Sequence, residues 1–142
     1  MKAAHTGDLD HLHDILSAGA DVNQFGSYGT WVRGAVSIAR TPAHICAMEC
    51  RIECLFLLLQ FGAYSNVIDE DGYTPAHYVC QKYISEGEIE QGLSRIAATC
   101  LKLLFAFGAS WRVKTKSGVG LMEMATRSKS WDCVKVLQDK SN

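Results

Sequence analysis

A four-residue string occurs twice in this chain at a fixed distance, and it constrains the fold more than any other feature. Thr-Pro-Ala-His begins at Thr41 and again 33 residues later at Thr74. An apolar run that ends in Gly-Ala recurs as well, with its glycine at Gly19, Gly62 and Gly108. Self-similarity at a fixed period is typical of chains built from stacked supersecondary units. The sequence therefore predicts a repeat architecture.

Each complete unit predicts two helices. Thr41 is a suitable N-cap, Pro42 fits the first helical turn, and Gly62 supplies the left-handed residue that ends the second helix. Apolar residues follow one another at helical spacing along that second helix, at Ile52, Leu55, Leu58 and Leu59. An apolar face this wide predicts a helix that lies between neighbouring units.

Two insertions interrupt the repeat. Ten more residues separate Asn23 from Thr41 than separate Asn66 from Thr74, and the long connection carries three glycines and three aromatic residues. A connection of this length predicts either a binding loop or a segment packed back on the body. The other insertion, at about 84–96, has apolar residues at helical spacing and predicts a second helix extended backwards by two turns.

The Thr-Pro-x-His start, the period near 33 and the Gly-Ala stop together resemble the ankyrin repeat. The resemblance covers about residues 3–138 and implies an all-α solenoid of stacked helix-turn-helix units with β-hairpin-like fingers. It divides one domain, 1–142, into repeat 1 at about 1–23, an extended finger at 24–39, repeat 2 at about 40–68, repeat 3 at about 69–113 with its insert at about 84–96, and a capping repeat 4 at about 114–140.

Ankyrin arrays mostly bind other proteins, so the resemblance implies a non-catalytic interaction module. Its expected partner is another protein or peptide, held by the fingers and the concave face. The contact positions of the family fall here on Arg40, Met48, Glu49, Glu70, Asp71, Tyr73, Gln81, Lys82, Lys116, Ser117, Val119 and Arg127.

Two further groups of residues are predicted to contact a partner. In the extended finger, Tyr28 and Trp31 beside Arg33 have the composition of an interface hot spot, with Trp31 folded back on the array as the alternative. The next two fingers differ in charge, a difference that would steer a partner of mixed charge unless both are simply solvated tips. The acidic finger carries Asp69, Glu70 and Asp71, and the basic one carries Trp111, Arg112, Lys114 and Lys116.

The composition excludes several partners. The formal net charge is −1 in 142 residues, too balanced for general attraction to nucleic acid or an anionic membrane. No apolar run approaches the ~20 residues of a membrane span, and the N-terminus lacks the order of a signal peptide. We therefore expect a soluble protein of the cytoplasm, the nucleus or both, monomeric when alone.

The six cysteines allow more than one interpretation. A disulfide framework would need export, whereas Cys54, Cys100 and Cys133 recur at one repeat position, which indicates small buried thiols. Cys46, Cys50 and Cys54 would line one helix as a metal row, but the repeat register breaks that helix before Ile52. We expect no metal and no cofactor.

The histidines are expected to be structural or solvated. In the Thr-Pro-x-His motif of the family, His44 and His77 would join neighbouring units through hydrogen bonds. His5, His11 and His13 are predicted to lie at the surface, and no phosphate loop, nucleophile elbow or paired-carboxylate spacing is present. An adaptor subunit of a ubiquitin ligase or signalling complex is the alternative function, and a thiol- or metal-dependent enzyme is the remote one.

Overall fold

The computed structural model describes residues 9–24, 26–27, 39–82 and 92–141. These residues form seven helices: α1 (Leu9–Ser17), α2 (Pro42–Met48), α3 (Ile52–Gln60), α4 (Pro75–Gln81), α5 (Leu93–Ala106), α6 (Leu121–Arg127) and α7 (Trp131–Ser141). A short antiparallel pair, β1 (Gly26–Ser27) with β2 (Ala39–Arg40), places Gly26 opposite Arg40. The predicted all-α class is confirmed for these ranges, since only this two-residue ladder and an isolated bridge between Lys114 and Gly120 add β structure.

The helices lie in two rows. In one row α2 packs on α4 and α4 on α6, and in the other α1, α3, α5 and α7 pack in that order. Each helix of the first row also packs against the helix that follows it in the chain, which makes the pairs α2/α3, α4/α5 and α6/α7. Fully buried leucines of the second row, Leu55, Leu58, Leu101 and Leu104, fill the core. Their burial agrees with the apolar face predicted for these helices.

The helix boundaries follow the predicted signals. Thr41 and Thr74 are extended N-caps followed by proline, and Gly62 and Gly108 take positive φ values of 93° and 92° after the second helices. Helix α2 ends differently, because Cys50 has φ 53° and the Arg51 N–H donates to the Cys46 carbonyl at 2.9 Å. Because of this turn, Cys46, Cys50 and Cys54 do not lie along one helix, as predicted.

The second insertion lengthens α5 less than predicted. Helix α5 has 14 residues and α3 has 9, so α5 is five residues longer. It begins at Leu93, directly after Gly92 in the left-handed region at φ 81°. A left-handed residue cannot continue an α-helix, so α5 starts directly after Gly92. Ile89 lies outside the described residues. Within the described ranges, no helix has the length and apolar character needed to cross a bilayer.

Candidate partner-binding groove

A groove of ≈ 470 Å³ opens where the first-row helices α2 and α4 meet the turn before α4. Its lining residues are Arg40, Met48, Asp71, Tyr73, Tyr78, Gln81 and Lys82. Six of these seven are residues that the sequence nominated as partner contacts, and Tyr78 is the one it did not. Tyr78, Gln81 and Lys82 are three and four residues apart, so they share one side of α4 and its end.

Tyr78 forms the floor of the groove through two polar contacts. Its hydroxyl donates to the Asp69 carboxylate and accepts a hydrogen bond from Arg40 Nε at 3.0 Å. The Arg40 guanidinium also lies 5.3 Å from the centre of the Tyr78 ring. Burial, with a contribution from the Asp69 hydrogen bond, raises the pKa of Tyr78 to about 12. The phenol therefore stays neutral and holds Arg40 at the wall of the groove.

The acidic finger exposes less negative charge than the sequence predicts, because the Asp69 side chain is buried. This side chain is only 5% exposed, and besides the Tyr78 hydroxyl it accepts the N–H groups of Asp71 and Tyr73, both at 3.0 Å. An aspartate that accepts from backbone groups two and four residues ahead shapes the turn rather than charging its tip. The accessible negative charge of this finger therefore lies on Glu70 and Asp71, which are exposed.

Tyr73 lines the groove and also contacts two residues of the first-row helices, His77 and His44. Its ring lies 5.2 Å from the Tyr78 ring and 5.7 Å from the His77 ring, measured between centroids. Its backbone carbonyl accepts a hydrogen bond from His44 Nε2 at 3.0 Å. The position of Tyr73 is thus fixed by aromatic contacts and by a partly buried hydrogen bond.

The far end of the groove is held by the turn between α6 and α7. The Lys82 Nζ donates to the Met48 carbonyl at 3.4 Å. Ser128 Oγ donates to the Gln81 carbonyl at 2.9 Å and Ser130 Oγ to the Lys82 carbonyl at 3.1 Å. The backbone that carries these two lining side chains is therefore supported from the next helix pair, and the Gln81 side chain is left exposed.

The acidic and basic fingers touch at Gly72. The Lys116 N–H donates to the Asp71 carbonyl at 3.2 Å, and a Cβ at Gly72 would lie 2.8 Å from that same nitrogen. With φ at 78°, only glycine fits this close approach without strain. Lys116 is exposed and makes this contact with Asp71, so a cation lies beside the acidic rim of the groove, and Lys114 in the same finger is exposed as well.

Several predicted contact residues lie outside the groove. Glu49 pairs with Arg51 at 2.7 Å and Arg127 with Glu123 at 2.6 Å. Trp111 is half-buried against the core. The Arg112 guanidinium lies 4.8 Å from the centre of the Trp111 ring. Val119 packs on the core, and Ser117 Oγ lies 3.0 Å from Thr115 Oγ1.

The extended finger is described only at its base. Tyr28, Trp31 and Arg33 lie outside the described residues, as does most of the insert at about 84–96. The β1 and β2 strands close the base of the finger, and Arg40, the last residue of β2, is part of the groove wall. The hot-spot role of the three finger residues stays a prediction.

His44 caps its own helix and also joins it to the next unit, as expected of the motif, whereas His77 makes only the cap. His44 Nδ1 accepts the Thr41 N–H at 3.1 Å, so the proton is assigned to Nε2, which donates to Tyr73. His77 Nδ1 accepts the Thr74 N–H at 3.1 Å, but its buried Nε2 makes no hydrogen bond of normal geometry, and the Val119 and Val113 carbonyls only lie near the ring. Burial lowers the pKa of both imidazoles, and nearby backbone carbonyls only partly offset this effect.

The remaining candidates for chemistry do not form a site. All six cysteines are buried free thiols, which confirms the interpretation as small buried side chains. Among the residues that the structure describes, no group of three or more histidine, cysteine or acidic side chains is arranged to hold a metal ion. His11 and His13 are exposed, as predicted.

Comparison with known proteins agrees with a repeat architecture. No protein-family model matches the chain. Inversin of Gallus gallus is 28% identical to it and inversin of Canis lupus familiaris 29%, in both cases over 139 residues and 95% of this chain. The chain spans only 10% of the length of each of these relatives. Inversin is a protein with ankyrin repeats.

Proposed function

We propose that this chain is an ankyrin-repeat solenoid of about four units, divided as the sequence predicts, and that it is a non-catalytic module that binds another protein or peptide in the groove. The two rows of helices and the similarity to inversin support the repeat architecture. The six free thiols support a reducing compartment such as the cytoplasm or nucleus.

The observation that carries this proposal is the convergence of lining residues from three segments of the chain. Arg40 precedes α2, Met48 ends it, and Asp71, Tyr73 and the α4 residues come from the next helix pair. Tyrosine, arginine and methionine are enriched in protein interfaces. Arg40 and Tyr78 are already held by their hydrogen bond to each other and by the bond from Tyr78 to Asp69, so these two side chains lose little entropy on binding.

The groove and its rim suit an extended peptide segment. A volume of ≈ 470 Å³ lies within the range of about 300–1,000 Å³ typical of ligand pockets, and is too small for a folded domain. Arg40 and Lys82 line the groove as cations and Asp71 as an anion, and the Lys116 N–H donates to the Asp71 carbonyl. A peptide of mixed charge would therefore bind in one direction.

Peptide selection on the full chain tests this function. Displayed peptides that bind the wild type would be measured by titration calorimetry against Gln81→Arg, which places a long cation in the groove, and against Gln60→Arg, at the exposed end of α3. We expect Gln81→Arg to weaken binding roughly tenfold or more. The matched Gln60→Arg should stay within about twofold of the wild type. Equal losses in both variants, or no loss in Gln81→Arg, would rule the groove out.

A further inference from the structure

Two phenylalanines stand at equivalent positions at the ends of second-row helices, and both are exposed. Phe61 and Phe107 each come directly before the glycine that ends the helix, Gly62 or Gly108. Each is 39% exposed, and Phe56 on α3 is 42% exposed. Phenylalanine is among the residues most often found fully buried, so three rings exposed to this extent on one row of helices need an explanation.

These rings join neighbouring helices of the second row. The Phe56 ring on α3 meets the Phe107 ring at the end of α5 edge to face, with centroids 6.1 Å apart. On the other side of α3, the His13 ring of α1 lies 5.9 Å from the Phe61 ring, also edge to face. Exposed apolar side chains that form a continuous patch mark interaction surfaces more often than single ones do. The outer face of the second row, which does not line the groove, therefore carries an aromatic ridge.

The same face is divided by charge at the boundary between α3 and α5. Apart from the histidines of α1, the charged residues of α1 and α3 are all acidic, those of α5 are all basic, and α7 carries two of each sign. None of the acidic or basic residues on α1, α3 and α5 forms an ion pair with another described residue. All five are exposed, and they are Asp10, Asp14, Glu53, Arg95 and Lys102.

We propose that two copies of this chain form a dimer through this face, about a two-fold axis that runs along the helices at the boundary between α3 and α5. A two-fold contact needs a face that is complementary to itself. Rotation about this axis places the acidic α3 of each copy on the basic α5 of the other. Phe61 and Phe107 end equivalent helices, so they come opposite each other near the centre of the contact.

The charges select this arrangement over the other two-fold arrangement of the same face. An axis that runs across the helices would place α3 on α3 and α5 on α5, with like charges opposite each other, which is unfavourable. A second copy is the occupant that fits, because this one face carries both the acidic half and the basic half. The dimer replaces the monomer expected from the sequence. It leaves the groove on the first row open, so it does not depend on the proposed function.

Sedimentation equilibrium of the wild-type full chain tests the dimer without any variant. The measurement covers chain concentrations up to about 1 mM, which reaches very weak association. We expect the mass to rise from that of the monomer towards twice that value and no further. Raising the salt concentration to about 0.5 M should weaken the dimer several-fold, because salt screens exposed charges. A mass that stays at the monomer, or one that grows past the dimer, would overturn the proposal.

Charge reversal on each half identifies the face. The basic half is reversed in Arg95→Glu with Lys102→Glu, and the acidic half in Asp14→Lys with Glu53→Lys. Each double variant alone should dimerise at least about tenfold more weakly than the wild type, because like charges then meet across the two-fold axis. An equimolar mixture of the two should dimerise again, because every contact then joins opposite charges. A mixture that stays monomeric while the wild type dimerises would overturn the assignment of this face.

A matched control separates this face from an effect of net charge. Lys114→Glu with Lys116→Glu, on the basic finger beside the groove, changes the net charge as much as reversal of the basic half. It should dimerise within about twofold of the wild type. Circular dichroism checks that each variant is folded, and the wild-type measurement decides the outcome if one is not. Calorimetry with a selected peptide measures groove binding separately, so failure of the dimer and failure of the proposed function are distinguishable.

Discussion

His44 Nε2 donates to the backbone carbonyl of Tyr73, 29 residues further along the chain, with 3.0 Å between the two atoms. The other ring nitrogen accepts the Thr41 N–H at the start of α2. One imidazole therefore caps its own helix and joins it to the turn that shapes the groove. His77 repeats the cap at Thr74, but its buried Nε2 makes no hydrogen bond of normal geometry. The same four-residue motif thus contributes differently at its two positions.

Replacing these two histidines should have unequal effects on stability. His44→Phe leaves the Thr41 N–H and the Tyr73 carbonyl without partners, and we expect it to lower the free energy of unfolding by about 2–4 kcal/mol. His77→Phe loses one bond but also removes an unsatisfied buried N–H, so its cost should be about 1 kcal/mol smaller. Urea denaturation followed by circular dichroism measures both. Equal losses would contradict the difference between the two sites.

Stability should fall as the pH drops through the range where histidine ionises. Burial lowers the folded-state pKa of His44 and His77 below the ordinary value of 6.5, so the unfolded chain binds more protons between the lowered pKa and 6.5. The stabilisation is complete above 6.5 and is lost towards the lowered pKa, at up to about 1.4 kcal/mol per pH unit for each histidine. Urea unfolding at about pH 7.5 and about pH 5.5 measures this loss.

The exposed histidines provide the control for that measurement. A variant with His11→Gln and His13→Gln should keep the pH dependence, whereas His44→Phe should reduce it. If the exposed pair carried the dependence instead, the buried imidazoles would not be its source.

Asn66 should stabilise the contact between the loops that follow the second-row helices. Its Nδ2 donates to the Gly108 carbonyl at 3.2 Å and its Oδ1 accepts the Ser110 N–H at 2.8 Å. Asn66→Ala loses both bonds and should cost roughly 1–2 kcal/mol, whereas Asn66→Asp keeps the acceptor and should cost about half as much. Thermal unfolding of the three proteins ranks them. An alanine variant as stable as the wild type would show that solvent replaces these bonds without loss.

The basic finger should accelerate association with a peptide that carries an acidic segment. Lys114 and Lys116 are exposed beside the groove rim, so reversing both to glutamate should lower the association rate at low salt and hardly change dissociation. The matched reversal Lys135→Glu, on the exposed side of α7, should have a smaller effect. Stopped-flow measurements at two ionic strengths separate the outcomes. An unchanged association rate in the double variant would disprove steering by this finger.

Much of the helical framework follows from local signals in the sequence. Thr41 and Thr74 mark two helix starts, and Gly62 and Gly108 mark two helix ends, because caps and left-handed residues act within a few positions of the chain. The groove residues were predictable only as family positions. These residues meet in one groove because α2 packs on α4, and no local sequence pattern specifies that packing.

The features that the sequence did not predict depend on contacts between residues that are apart in the chain. Asp69 lies in an acid-glycine string that indicates a solvated turn. Its side chain is nevertheless buried, and it accepts a hydrogen bond from the Tyr78 hydroxyl, nine residues further along the chain. The start of α5 was detectable, since Gly92 stands directly before Leu93, the first residue of the helix.

Backbone amide shifts on addition of a selected peptide test the binding function most directly. In the described ranges, we expect the largest changes on the groove residues Arg40, Met48, Asp71, Gln81 and Lys82. Gln60 and Phe107, on the second row of helices, should change little. Changes concentrated on the second row, with the groove amides unmoved, would contradict it.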